Sequence, residues 1–162
     1  MSTPTAITPT EATMPITIRP VEQSEFFAWY ALFADYADFY ETPLSDETAV
    51  LVWSWIIDPA AELDALVAVD EEGALVGFAH HRTFLRPLAG SKGIYLDDLF
   101  VSPAHRGKGV GTQLIDAVAE IGKSRRASIV RWITADDNET AQRLYDKVAQ
   151  KTTWVTYDKE LA

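Results

Sequence analysis

Between Arg106 and Gly111 the chain reads Arg-Gly-Lys-Gly-Val-Gly, a composition suited to holding an anion. Glycines at alternate positions keep side chains away from an approaching ligand and tolerate positive φ. Arg106 and Lys108 bring positive charge to the same loop. An apolar run with strand character, Tyr95 to Val101, precedes it and stops at Ser102-Pro103. After the loop Val110, Leu114, Val118 and Ile121 recur at helical spacing. Strand, glycine loop and helix in that order bring the free N–H groups of a helix start to a phosphate. The spacing GxGxG is neither the GxxxxGK[ST] of a P-loop nor the GxGxxG of a dinucleotide fold. What stands is Arg-x-x-Gly-x-Gly, carried by Arg106, Gly109 and Gly111. Just upstream, Asp97 and Asp98 are adjacent carboxylates on the strand. Regular alternation would point them to opposite faces, so that only one meets a given site.

The elements that position these residues can be read in order. Ile16 to Arg19 alternates and ends at Pro20, a first strand. Residues 22–39 have helical periodicity, and Thr42-Pro43 breaks it. Ser45 caps a second helix to about Ile57, with Asp46 and Glu47 favouring its dipole. Leu66–Val69 and Leu75–Phe84 are strands joined by a hairpin connection at Asp70–Gly73. Leu85 to Gly93 reads as a loop before the central strand. After the glycine loop come a helix to about Arg125, a strand over Ser128–Thr134 and a short helix over Glu139–Val148. Thr153 to Leu161 alternates and reads as a closing strand. A mixed sheet with helices on both faces follows from the need to bury each apolar face.

At 162 residues and 48% hydrophobic composition, the chain is expected to be one globular domain over residues 15–162, after a disordered tail at residues 1–14. That N-terminus has no basic start and no apolar run, so it is not a secretory signal, and no stretch reaches membrane-spanning length. A cytoplasmic protein without membrane partners is the expectation. There is no cysteine, which excludes disulfides, thiolate catalysis and cysteine-ligated zinc. His80, His81 and His105 have no metal-ligand spacing, so no metal is expected. The net charge of −10 argues against nucleic acid; a negative field would attract a cationic substrate, but charge alone favours an ordinary acidic surface. Ten of the eighteen aromatic residues fall in the first two helical segments, beside Asp35, Asp38, Glu41, Asp46 and Glu47. Aromatic faces among carboxylates suit an ammonium group.

The strand ending Leu99-Phe100-Val101-Ser102-Pro103, followed by Arg106-x-x-Gly109-x-Gly111, resembles the acetyl-CoA loop of the GNAT superfamily of N-acetyltransferases. Tyr95-Leu96-Asp97-Asp98-Leu99-Phe100-Val101, Tyr36-x-x-Phe39-Tyr40-Glu41 and Asn138 to Tyr145 are similar to its polyamine (spermidine/spermine) and histone/polyamine branch. The resemblance runs from Ile16 to Leu161. It implies an α/β (α+β) fold: a mixed, mostly antiparallel sheet with helices on both faces, in the order β-α-α-β-β-β-α-β-α-β. It further implies an enzyme that takes acetyl-CoA as cosubstrate, needs no metal and acetylates a primary amine by direct attack on the thioester. A small cationic amine such as a polyamine is the leading acceptor. A protein lysine, an amino acid or an aminoglycoside is the alternative, and a non-catalytic acyl-CoA sensor is the reading from another class. A homodimer is the assembly the resemblance implies. One departure stands after Tyr145, where many members turn through Gly-Phe and this chain reads Asp146 to Thr152.

The resemblance also assigns roles. Leu99, Phe100 and Val101 would meet the pantetheine arm through backbone groups, with Leu99 or Phe100 donating to the oxyanion. Arg106, Gly107, Lys108, Gly109, Val110, Gly111 and Thr112 would hold the pyrophosphate. Asn138 is both a good helix cap and, by resemblance, a pantetheine contact. Tyr145 is either the general acid that protonates the thiolate or a core tyrosine. Asp97 is either the base that takes the amine proton or an anchor for the substrate cation. Tyr36, Tyr40 and Glu41 would line the acceptor site with Asp97.

Overall fold

The computed structural model describes residues 15–162. The tail expected at residues 1–14 lies outside the described residues. Two compact units are present, one ending at Trp132 and the other spanning Ile133–Ala162, where the sequence suggests a single domain.

The first unit is a five-stranded sheet in the order β1-β2-β3-β4-β5. β1 is Thr17–Pro20, β2 Asp64–Val69, β3 Leu75–Arg86, β4 Ser91–Val101 and β5 Ala127–Arg131. The first four strands pair antiparallel and β5 joins β4 in parallel. Two helices, α1 (Phe26–Phe39) and α2 (Asp46–Ile57), connect β1 to β2, and α3 (Val110–Ser124) connects β4 to β5. Ser45 caps α2 by accepting from the Thr48 N–H.

Helices cover both faces, as expected. On one face, Phe33 and Tyr36 of α1 meet Phe78 edge-on at 6.1 and 5.7 Å between centroids. On the other, the bare backbone of Gly77 lies against Leu114 of α3, and Gly122 of α3 sits against Ile94. Trp29, Val67, Phe78, Ile94, Leu114 and Val118 are fully buried between these layers.

The segment read as a loop, Leu85 to Gly93, is mostly ladder. β3 runs to Arg86 and β4 starts at Ser91, leaving a turn closed by the Gly90 N–H on the Pro87 carbonyl. Cross-strand pairing overrides the weak strand preference of Ser91-Lys92-Gly93. Gly93 is required there, because the Phe84 ring lies 2.5 Å from where a Cβ would stand.

The second unit carries α4 (Glu139–Val148). The closing strand expected over Thr153–Leu161 does not form: Ala149–Ala162 is exposed and takes no strand hydrogen bonds. Its alternation supplies strand propensity, but a strand also needs an edge to take its N–H and C=O groups. Trp154, Val155, Tyr157 and Leu161 stand 74–90% exposed.

His81 sits on the α3 face of β3, 1% exposed, with neither ring nitrogen hydrogen-bonded among the described residues. Burial pushes it down from 6.5 to about 4, against the pull of Asp64, while the Arg125 charge also disfavours its protonation. Between those two values the unfolded chain binds a proton that the folded one refuses. Stability is therefore full above about pH 6.5 and falls as the pH drops towards 4, by on the order of 3 kcal/mol. Urea unfolding at pH 7, 5.5 and 4.5 should show that loss, and His81→Leu should flatten it. An equal pH slope in the variant would remove His81 as the cause.

Candidate active site

The register of β3 against β4 breaks at one place. His80 faces Asp98, but His81 faces Leu96, so Asp97 has no partner and forms a β-bulge. β3 itself is regular, which puts Phe78, His80, Arg82 and Phe84 on the α1 face. Their neighbours Phe100, Asp98 and Tyr95 share that face. The bulge residue joins them, since Asp97 Oδ1 and Oδ2 accept from Arg82 Nε at 3.1 and 3.0 Å. The expectation that the two carboxylates point to opposite faces is thus corrected. The extra residue at 97 breaks the alternation, and both reach partners on one face.

Their environments differ. Asp98 accepts from His80 Nδ1 at 2.9 Å and from the Tyr36 hydroxyl at 2.7 Å. His80, 1% exposed, accepts in turn from Trp29 Nε1 at 2.9 Å on its Nε2. An indole N–H can only donate, so Nε2 holds the lone pair and the proton sits on Nδ1. The contact to Asp98 is therefore a hydrogen bond from a neutral imidazole, not an ion pair. Burial pushes Asp98 up, but the His80 and Tyr36 donors outweigh it and hold the carboxyl below its ordinary value. For Asp97 burial prevails: its carboxyl is raised despite Arg82, with the Asp98 charge adding to the rise. Asp97 is the better proton acceptor, and Asp98 is a fixed anion.

Sequence reasoning missed Trp29 and Arg82; it took Asp97 over Asp98 as the site carboxylate, and it read a satisfied sheet histidine at His80 or His81, which His80 is. Trp29 and His80 lie 51 positions apart, and no local spacing announces their pairing. Tyr36 is expected beside the acceptor, yet its hydroxyl is spent on Asp98. Tyr40, at the end of α1, packs edge-on to Tyr36 and is 42% exposed, and Glu41 follows with φ 52°.

One edge of β4 is open. β5 pairs with β4 only from Lys92 to Tyr95, leaving Leu96–Val101 without a partner on that side among the described residues. Val101 faces Gly77, and the Ser102 N–H bonds the Val76 carbonyl, which makes Val101 a non-hydrogen-bonded position of the β3 ladder. Leu99 and Val101 therefore turn their own N–H and C=O groups to the open edge, while Asp98 and Phe100 spend theirs on β3. Of the two expected oxyanion donors, the Leu99 N–H faces outward. The Phe100 N–H does not, and its ring is buried.

The loop follows directly. Arg106 folds back, donating from Nε to the Val101 carbonyl at 2.9 Å, with its guanidinium over the Phe39 and Phe100 rings. It braces the corner, and Lys108 is left exposed in the loop. Gly107 and Gly109 have φ of 75° and 79°, with no atom within 4 Å of where a Cβ would stand. Gly109 is the N-cap of α3 and offers no side chain to the helix start. The Val110, Gly111 and Thr112 N–H groups lie in the first turn, where an α-helix supplies no acceptor. An open edge of extended backbone running into an uncapped helix start fits a long phosphorylated ligand.

In the second unit, Asn138 caps α4 by accepting from the Ala141 N–H at 3.2 Å. Tyr145 lies half-buried on the helix side that bears Ala141 and Leu144. Among the described residues no group of histidines and carboxylates could hold a metal ion.

The model of the acetyltransferase (GNAT) family matches residues 29–149. The chain belongs to that family. It is an N-acetyltransferase by family, with acetyl-CoA as the family's acyl donor. It is 34% identical over 145 residues to the D-amino-acid N-acetyltransferase HPA3 of Saccharomyces cerevisiae, covering 89% of this chain and 90% of that protein. A thialysine N-epsilon-acetyltransferase of Mus musculus is 33% identical over 76 residues, 47% of this chain and 45% of its own. Among solved structures, a ribosomal-protein-alanine N-acetyltransferase from Brucella melitensis biovar Abortus 2308 superposes with a TM-score of 0.78 at 25% identity, over 91% of this chain and all of that one. The aminoglycoside N-acetyltransferase AAC(6')-Iy in complex with CoA shares the fold, with a TM-score of 0.79 at 21% identity over 96% of this chain and all of that one.

A side chain at Gly109 would be strained at φ 79° and would project into the space in front of the helix start. Gly109→Val is expected to lower coenzyme A affinity at least about tenfold in a protein that remains folded. Calorimetry with coenzyme A checks this, and unchanged affinity in a folded variant would unseat the loop as the phosphate site.

Proposed function

We propose that this chain transfers the acetyl group of acetyl-CoA to the primary amine of a small molecule, working in the cytoplasm. The observation that carries the proposal is the continuity of the open β4 edge with the glycine loop, with Asp97 on the bulge beside it. Leu99 and Val101 hold the pantetheine arm as a strand would, and the loop from Arg106 to Thr112 holds the pyrophosphate. Asn138 adds a pantetheine contact through the amide nitrogen that its capping bond leaves over.

The amine arrives as an ammonium and must lose a proton before it attacks. Asp97 takes that proton, directly or through a water, and its raised pKa suits the role. As the N–C bond forms, the Leu99 N–H donates to the carbonyl oxygen, which carries the developing charge. The C–S bond then breaks, and Tyr145 gives the thiolate its proton. A phenol with an ordinary pKa near 10 remains protonated at neutral pH and can serve as that donor.

Charge at the site bears on the acceptor. The polyamine expected from the overall negative charge would meet Arg82 at Asp97, so the local field does not favour a polycation. An amino acid takes its place as the leading acceptor, in keeping with the named activity of the yeast relative. The test is a panel of amines with acetyl-CoA, read by thiol release: polyamines, amino acids of both hands, lysine peptides and aminoglycosides. At least one should be turned over, and Asp97→Asn and Tyr145→Phe should each lower kcat by about 10²–10⁴ with coenzyme A affinity retained. A panel with no turnover would favour the acyl-CoA sensor.

We also propose a homodimer. Trp154, Val155, Tyr157 and Leu161 leave a strand-patterned segment 74–90% exposed, which a second copy could cover. Sedimentation velocity should give a dimer for the native chain and a monomer for Val155→Asp/Tyr157→Asp. A monomer at all concentrations would overturn it.

A further inference from the structure

A row of charge crosses three strands on the face that carries Asp97. Arg82 of β3 faces Tyr95 of β4, which faces Arg131 of β5. The Arg82 guanidinium stacks on the Tyr95 ring at 4.8 Å, and that of Arg131 on the Phe84 ring at 5.4 Å. Phe84 and Tyr95 pack edge-on at 6.2 Å, so the two cations flank one aromatic pair. Gly93 opposite Phe84 lets that ring lie flat to the sheet. In a chain of net charge −10, two guanidiniums on one sheet face, with Asp97 paired to one of them, form a local reversal of sign.

Both cations are set up for a ligand. Arg82 bonds Asp97 through Nε, and among the described residues no bond is made by its two terminal nitrogens. Among the described residues Arg131 makes no ion pair, and its guanidinium lies over the Phe84 ring. The stacking fixes each planar group, so less freedom is lost when an anion binds. Half of the Arg82 side chain is open to solvent. The other charges nearby are accounted for: Asp98 is held by His80 and Tyr36.

We propose that Arg82 and Arg131 form the binding site for the carboxylate of an α-amino-acid acceptor whose amine lies at Asp97. This rests on the acetyl-transfer reading above and names its substrate class. Asp97 and Arg82 are themselves about 3 Å apart, and the amine and carboxylate of an α-amino acid are separated by about the same distance. A zwitterion laid along the pair puts each charge against its opposite. The free terminal nitrogens of Arg82 offer a carboxylate the paired donors that a lysine cannot. A diamine of the same length has nothing to place there and meets a positive charge instead.

Matched acceptors test the assignment: lysine, methionine and phenylalanine in both hands, each beside its decarboxylated amine and its methyl ester. The native enzyme should favour the amino acid over the amine in kcat/KM by about 10–10², the worth of a charge-assisted bond to a carboxylate. In Arg82→Leu that ratio should collapse towards one, mainly through KM for the amino acid, and Arg82→Lys should fall between. Arg131→Leu should reduce the ratio as well. Equal turnover of amino acid, ester and amine by the native enzyme, or an unchanged ratio in Arg82→Leu, would overturn the proposal. Calorimetry of amino-acid binding in the presence of coenzyme A judges the site apart from turnover. Binding that is present in the native chain and lost in Arg82→Leu supports the site even if acetyl transfer fails. The absence of binding, with amines still acetylated, removes the site and leaves the acetyltransferase standing.

Discussion

One buried hydrogen-bonded chain ties the first helix to the sheet and the sheet to the site. Trp29 donates to His80, His80 to Asp98, and Tyr36 closes on Asp98 from the same helix. Each member would be costly to bury alone, since an unpaired polar group loses its water without compensation. Together they satisfy one another across α1, β3 and β4. The direction of the chain is fixed from its indole end, which can only donate, and this sets the tautomer of His80 and leaves Asp98 as the anion. The neighbouring carboxylate then sits beside a fixed negative charge. The aromatic packing around Phe33, Tyr36, Phe78 and Phe100 excludes water from this arrangement and belongs to its electrostatics as much as to the core.

The loop and the open edge depend on the same frame in another way. Arg106 looks in sequence like a phosphate ligand, and its Nε holds the last carbonyl of β4 while its guanidinium lies over two rings. That bond sets the angle at which the strand enters the helix. The corner also presents backbone N–H groups, a helix dipole and Lys108, the features that suit such a corner to an anion. Brace and cradle lie side by side without a buried unpaired cation.

Much of this was legible in the sequence, and the parts that were not share a cause. The glycine spacing, the capping serine at 45 and the helical periodicity after Val110 are local signals, and local signals survived. Ser45 and Asn138 both cap as their residue type suggests. The pairing of Trp29 with His80 is non-local, and nothing near either residue encodes it. The Asp97 bulge is a one-residue slip in pairing, and pairing partners cannot be read from one strand. Alternation over Thr153–Leu161 gave a propensity without a partner, and the strand did not form. Ser91-Lys92-Gly93 was the reverse, poor propensity overruled by a ladder.

The bulge at Asp97 has a consequence for how such a chain can change over time. Residue type at this point is separable from chain length. A substitution at 97 alters one side chain and leaves the parity of β4 intact on either side. Losing that single residue would restore a regular ladder in which Tyr95, Leu96 and Asp98 still face Arg82, His81 and His80, so the flanking side chains keep their faces and only the bulge carboxylate goes. The pairs of His80 with Asp98 and of Arg82 with Tyr95 are thus independent of what stands at 97. Acceptor chemistry could diversify by change at this one position, without disturbing the strand on either side.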